Sequence, residues 1–515
     1  MRVTYHPPPE RPTMHRRTAL RAAGAALAAG CVPAALSSAT PTGVEQDAFQ
    51  PRSRLGLPGA KEVVVGPDGR TAYVAVTDGF ATVDVSDPDA PQLLAERRGL
   101  LGDREDGPMR RVHDVAVEGD RLAVAGPANG VGVSGVLLYD VTDPAAPERL
   151  GFHETSYPVH NCDLADGVVY LTANNARDNP VVLVDAREDS LPEVARWSLY
   201  DLDEAAWSAV HLGGRAIHDV TVVDAVAYCA YWDAGTWLLD VSEPSDPRLL
   251  GSVGGFTAEE LAGLDDAEKG FQSIEPPGNA HYTEVNDDGT VLAVGGESWD
   301  GHAGDGHGGP SGIDLWDVSD PAAPERLSSI EPLVPADATV QGTWTTAHNF
   351  ELVGGRLYSA WYQDGVKLHD VSDPSSPELL AHWRDPVGTR FWTARLGRPG
   401  DFFVAADMAP PGQSSDDAAL YCFPDRAGTQ LDQPDVRTPT PTPTSTPAGR
   451  SPGTGTPPGT GGTESPTGTR TRSPTATQSD EPTGTPSETS VPGFGALAAL
   501  GGLGLAGWRL LARRE

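Results

Sequence analysis

Five histidines recur at one position of a repeating pattern: His113-Asp114, His160-Asn161, His218-Asp219, His281-Tyr282 and His348-Asn349. Each opens a short apolar run. Neutral imidazole is a common ligand for Zn, Cu, Fe and Ni. Several of them brought to one point would make a metal centre able to act as Lewis acid or redox site, with Asp114 or Asp219 supporting the ligands from behind. A second reading uses the same residues. Repeats copy structural side chains as readily as functional ones, so the imidazoles could tie neighbouring units by hydrogen bonds while the following Asp or Asn bonds backbone. The choice turns on whether the five runs converge.

The elements that carry them are marked by a second recurring phrase. It reads VDVSDPDAPQLL at 83–94, YDVTDPAAPERL at 139–150, LDVSEPSDPRLL at 239–250, WDVSDPAAPERL at 316–327 and HDVSDPSSPELL at 369–380, with a worn copy, VDAREDSLPEVA, at 184–195. Regular self-similarity signals an array of one supersecondary unit. The second unit shows its content: runs at Val112–Val117, Arg121–Ala125, Val136–Val141 and Arg149–Phe152, separated by turn residues. These are four strands, and the Asp-Pro pair ends the third because Pro lacks the N–H that a ladder needs. The third run is apolar at nearly every position and must be covered on both faces. Four-stranded sheets stacked around an axis satisfy that, which predicts an all-β fold, a β-propeller. First strands beginning near Lys61, His113, His160, His218, His281, His348 and Trp392 give seven blades. No fourth strand follows Phe423, whereas Arg52–Leu57 resembles the fourth-strand pattern at Pro147–Phe152. The N-terminal segment is therefore expected to close the last blade, removing an open edge.

The phrase resembles that of the LVIVD repeat family of surface β-propellers over residues 52–424. The resemblance implies a seven-bladed propeller and no agreed enzymatic activity. No nucleophile elbow, phosphate loop, dinucleotide fingerprint or His-Glu-x-x-His motif occurs, so the sequence gives no catalytic assignment. Two insertions flank the fifth blade. Thr257–Lys269 reads as a short helix with capping-box spacing between Thr257 and Glu260. The segment 299–309, rich in Gly, Asp and His, reads as an acidic loop able to approach a cation. Together they should build up one rim, where propellers bind ligands.

Residues 1–40 resemble a twin-arginine export signal: Arg16-Arg17 precede an apolar stretch, and Ala28-Ala29-Gly30-Cys31 resembles a lipidation site at Cys31. Residues 434–491 are mostly Thr, Pro, Ser and Gly, a disordered stalk too poor in apolar residues to fold. Pro492-Gly493-Phe494, an apolar run read as a transmembrane helix and terminal Arg residues at 492–515 resemble the PGF-type C-terminal sorting signal of haloarchaeal surface proteins. The formal net charge is −35, and Lys61, Lys269 and Lys367 are the only lysines. Such a balance excludes nucleic acid as a partner and fits a protein that stays soluble in concentrated salt. Four cysteines are too few for a disulfide scaffold, although Cys162 and Cys229 fall in adjacent blades. The reading is an extracellular, membrane-anchored propeller that binds a protein or small molecule at one face. Its alternatives are a metalloprotein or metalloenzyme using His113, His160, His218, His281 and His348, and a structural envelope protein.

Overall fold

The computed structural model describes residues 48–130, 132–301 and 308–437. The expected export signal, Cys31, the stalk beyond 437 and the C-terminal sorting segment lie outside the described residues. Seven four-stranded antiparallel sheets follow one another along the chain. Their innermost strands are Val63–Val65, Asp114–Glu118, Val159–Ala165, Asp219–Val223, Ala280–Val285, Phe350–Val353 and Phe391–Arg398, which open blades 1 to 7.

The repeated phrase is explained by the corner between the third and fourth strands. The Asp that ends each third strand accepts from the backbone N–H two residues on: Asp84 from Ser86, Asp140 from Thr142, Asp185 from Arg187, Asp240 from Ser242, Asp317 from Ser319 and Asp370 from Ser372, all at 2.8–2.9 Å. These are Asx turns, in which the side chain stands in for a backbone partner. Even the worn copy keeps its Asp. Each of blades 1 to 6 also carries a register shift between these strands, as at Thr82/Val83 and Leu368/His369. A bulge there increases local twist. The phrase is thus architecture.

Apolar residues of adjacent sheets share clusters, such as Val168, Tyr170, Ile217 and Cys229 between blades 3 and 4. Backbone ties reinforce this packing. Asp114 accepts from Cys162 N–H at 2.6 Å, Asp163 from Val222 at 2.7 Å, Asp219 from Thr283 at 3.0 Å and Glu351 from Leu396 at 2.6 Å. Each carboxylate binds the innermost strand of the next blade, so these side chains lace the ring together. Cys162 and Cys229 are free, buried thiols.

The last blade closes as expected. Ser53–Gly56 pairs antiparallel with Ala419–Pro424, matching Ser53 to Cys422 and Gly56 to Ala419. Phe49 is fully buried and stacks 5.9 Å from Phe423. Arg52 bridges to Asp89 of blade 1 and Asp401 of blade 7.

Among the described residues three α-helices decorate the ring. α1 (Tyr200–Ala209) joins blades 3 and 4 and was not expected from the sequence; it has no side-chain N-cap, and Asp203 is non-helical within it. α2 (Ala258–Gly263) and α3 (Asp266–Gln272) replace the single helix expected at 257–269. Leu264 is extended, and Asp265 starts the second helix with its own capping box to Glu268. Trp207 and Leu261 share one apolar cluster, so α1 and α2 pack against each other. Among the described residues no helix is long and apolar enough to cross a membrane.

Candidate functional site

The innermost strands run the same way along the axis, so their first residues gather at one end of the central channel. The five histidines converge there, all nearly fully buried. Ring centroids lie 6.4 Å apart for His113 and His160, 4.1 Å for His160 and His218, 4.0 Å for His218 and His281, and 4.5 Å for His281 and His348. Trp392 of blade 7 completes the circle, 4.3 Å from His348 and 5.4 Å from His113. Lys61 of blade 1 lays its ammonium 4.9 Å from the Trp392 ring centre. The two blades without His therefore contribute an indole and an ammonium to the same ring.

Backbone carbonyls hold several imidazoles. Nδ1 of His160 contacts the Ala128 carbonyl at 3.1 Å, Nδ1 of His218 the His281 carbonyl at 3.0 Å, and Nδ1 of His348 the Trp392 carbonyl at 2.6 Å. A carbonyl accepts only, so Nδ1 carries the proton and Nε2 keeps its lone pair. That bond ties blades, as the structural reading expects, and it is also how metal-binding histidines are oriented. Burial, first of all, holds every imidazole below its usual pKa, His160 at about 4 and the others well down. The five imidazoles are neutral at pH 7.

One side of the ring holds more than histidine. Glu297 follows the second strand of blade 5 and is fully buried. Its Oε2 lies 3.6 Å from Nε2 of His281, and its Oε1 lies 3.9 Å from Nε2 of His348. Tyr362 donates its hydroxyl to Oε1 at 2.5 Å. Ligating atoms of His281, Glu297 and His348 all lie within 4.8 Å of one another. Two ligands at zinc-like bond lengths of about 2.0–2.1 Å on a tetrahedral ion stand about 3.3 Å apart, so small shifts would suffice to close on a metal. Of the five expected ligands, only His281 and His348 enter this group. Nε2 of His218 is buried without a hydrogen-bond partner beside them, while His113 and His160 continue the ring away from Glu297.

Burial pushes the Glu297 carboxyl up to about 8, against the Tyr362 bond and the nearby Arg390. Next along the rim, Arg390 stacks its guanidinium 4.1 Å from the Trp344 ring centre, and burial pulls it down to about 10. Burial and then Arg390 bring Lys61 down to about 7, opposed by Asp407. Asp407 accepts the backbone N–H groups of Arg390 and Ala409 on Oδ1 and is pushed up to about 7 by burial. Glu297, Tyr362 and Arg390 were missed because each occurs once. Aligning the ends of the second strands would have exposed Glu297: the corresponding stretches of blades 4 and 6 read Tyr231-Trp232 and Trp361-Tyr362, whereas blade 5 puts Glu297 there and blade 7 Asp407.

The other end of the channel is different. Arg395 enters from blade 7 and donates to Glu62 Oε1 at 2.8 and 3.1 Å, to Glu284 Oε1 at 2.7 Å and to the Phe350 carbonyl at 3.0 Å, and it touches the Tyr282 hydroxyl. Asn349 donates to Glu62 Oε2 at 2.6 Å. A cavity of about 230 Å³ opens here, walled by Asp114, Asp163, Asp219, Glu284 and Glu351 with Arg395 at its floor.

A family model described as LVIVD repeat matches residues 60–96 and 213–254. The chain is a β-propeller carrying LVIVD repeats. The two matched LVIVD segments contain the ring residues Lys61 and His218. No curated protein matches the chain. Among solved structures, it is similar to the Cps50 (Swd1) β-propeller domain of Myceliophteria thermophila at 11% identity, covering 73% of this chain and 99% of that one with a TM-score of 0.49. A functionally unknown protein from Desulfotomaculum acetoxidans matches at 12% identity over 63% and 84% of the two chains, with a TM-score of 0.41. A chain from a mitotic checkpoint complex matches at 14% identity over 77% and 99%, with a TM-score of 0.45. At such identities and scores these likenesses bear on neither ligand nor chemistry.

Proposed function

We propose that this LVIVD propeller is a binding protein whose site is the histidine end of its channel, and that it holds a transition-metal ion there. The observation that supports this is the trio of His281, His348 and Glu297, two neutral imidazoles and a carboxylate with ligating atoms inside 4.8 Å. Two nitrogens and one oxygen suit Zn²⁺ or Fe²⁺ and leave coordination positions for a further ligand. Glu297 would change from a protonated acid to a carboxylate on binding, releasing a proton, because metal ligands bind deprotonated. The Nδ1 bond of His348 to the Trp392 carbonyl presents its Nε2 lone pair to the ion. The reading extends to location: an export signal at 1–40 and a sorting segment at 492–515 would place the propeller outside the cell, held at the membrane, with a protein or small molecule meeting this face.

The test is elemental analysis of the full chain after metal supplementation and desalting. About one equivalent of a transition metal is expected, and His281→Ala, His348→Ala and Glu297→Gln should each lower it while the fold persists. A supplemented wild-type protein without metal would leave the histidines as ties between blades.

A further inference from the structure

Buried charges in folded proteins are normally paired, because an isolated ion loses far more hydration than packing returns. Lys61 and Arg390 depart from this. Both are at least nine-tenths buried. Lys61 rests on Trp392 and Arg390 on Trp344, and neither forms an ion pair or a side-chain hydrogen bond among the described residues. Nε of Arg390 is buried without any partner. Other buried cations are satisfied: Arg215 donates to the Val210 and Arg177 carbonyls. Arg395, Lys367 and Arg384, equally buried, all hold carboxylates at 2.7–2.8 Å.

The charged groups facing the pair are Asp407, whose Oδ1 is taken by backbone N–H groups, and Glu297, which faces His281 and His348. With a divalent ion on the histidines, Glu297 would be committed to the metal, and the surroundings would carry an excess of positive charge. A planar guanidinium stacked on an indole keeps its in-plane N–H fork free for an oxyanion, and an ammonium adds a point charge. The aromatic walls, Trp344, Trp392 and Tyr362, exclude water and strengthen such contacts.

We infer that Lys61 and Arg390 form a binding site for a small oxyanion, a carboxylate or phosphate group, beside the His281–His348–Glu297 trio. The inference takes the histidine end as the binding face from the proposal above, but the two cations need no metal to act. The anion is therefore the group by which a ligand of this face is gripped, and its remainder would point towards the open positions of the ion.

Because each cation lies on a tryptophan, occupancy should alter the emission of Trp392 and Trp344. The experiment titrates the full chain, metal-free and metal-loaded, in chloride-free buffer with inorganic phosphate and separately with acetate. Saturable one-to-one binding of at least one probe is expected, with the preferred probe naming the source of the oxyanion. Lys61→Met and Arg390→Gln should each weaken it tenfold or more, while Lys269→Met on α3 should not. Glu297→Gln separates the two proposals: it should lose metal and keep metal-free anion binding, whereas loss of metal-free anion binding in this variant would overturn the inference. Absence of saturable binding of both probes to the wild type, or equal affinity in Lys61→Met, overturns the inference. Should Arg390→Gln fail to fold by circular dichroism, Lys61→Met, a nearly isosteric change, decides alone.

Discussion

At one end of the channel Arg395 ties Glu62 and Glu284 together, and Asp114, Asp163, Asp219 and Glu351 each accept a backbone N–H from the next blade. At the other end Lys61, Arg390 and Glu297 are equally buried, yet unpartnered atoms accumulate: Nδ1 of His113 and His281, Nε2 of His218, Oε2 of Glu297, Oδ2 of Asp407 and Nε of Arg390. The same seven blades build both ends. The difference teaches where to look for binding. Satisfied buried charge rigidifies, whereas unsatisfied buried charge costs stability and persists where a ligand completes it.

The strongest way to break the comparison is at the satisfied end. Arg395→Met should destabilise the propeller by about 3–5 kcal/mol, because it leaves Glu62 and Glu284 buried and uncompensated. Thermal unfolding measures it, and a loss no larger than that of an exposed Arg would show that the channel floor is wet.

Acid and base should act on the two ends in opposite directions in the metal-free protein. Asp219, raised to about 7 by burial, contributes stability that is present below its unfolded pKa near 4 and lost as pH rises through about 7. His160, lowered to about 4 by burial, contributes stability that is present above about 6.5 and lost as pH falls towards about 4. Each group should add a slope of about 1.4 kcal/mol per pH unit inside its window. Both windows lie between about pH 4 and 7, so the two slopes oppose each other in the wild type: Asp219→Asn should leave a stability that rises more steeply with pH there, and His160→Gln one that falls. Identical profiles for both variants and wild type would mean that the channel admits water freely at both ends.

The smallest expected effect sharpens the comparison most. His348→Ala removes one hydrogen bond to the Trp392 carbonyl, worth about 0.5–1.5 kcal/mol, together with the packing of its ring. Its stability cost should stay well below that of Arg395→Met, while its metal content falls outright. A melting temperature depressed as far as in Arg395→Met would assign His348 to architecture.

Periodicity decided what the sequence could reveal. The Asp-x-Ser turns, the strands they end, the closing strand at Ser53–Gly56 and the five histidines all recur, so each copy vouches for the others. The convergence of the histidines followed once the first strands were taken as innermost. Glu297, Tyr362 and Arg390 have no copies, and their meaning lies in contacts between blades remote in sequence. α1 has no copy in the other blades either, and its start signals are split: Ser198 accepts the Tyr200 N–H, while Asp203, extended inside the helix, accepts that of Ala206. The repeats were legible as architecture, and the departures from repetition, Lys61, Glu297 and Trp392, mark the site.

The closing strand has a topological consequence. Ala48 pairs with Thr429, and Ser53–Gly56 borders Ala419–Pro424, so the two places where the chain enters and leaves the ring are neighbours on one blade. Entry and exit can then be joined by a short linker and the chain cut between any other two blades, giving circular permutants that keep every sheet. A permutant opened between blades 2 and 3 would have all seven sheets continuous or closed by a neighbour, and it should fold to the same ring. The order in which the blades are made would change, and the histidine circle would be unaltered.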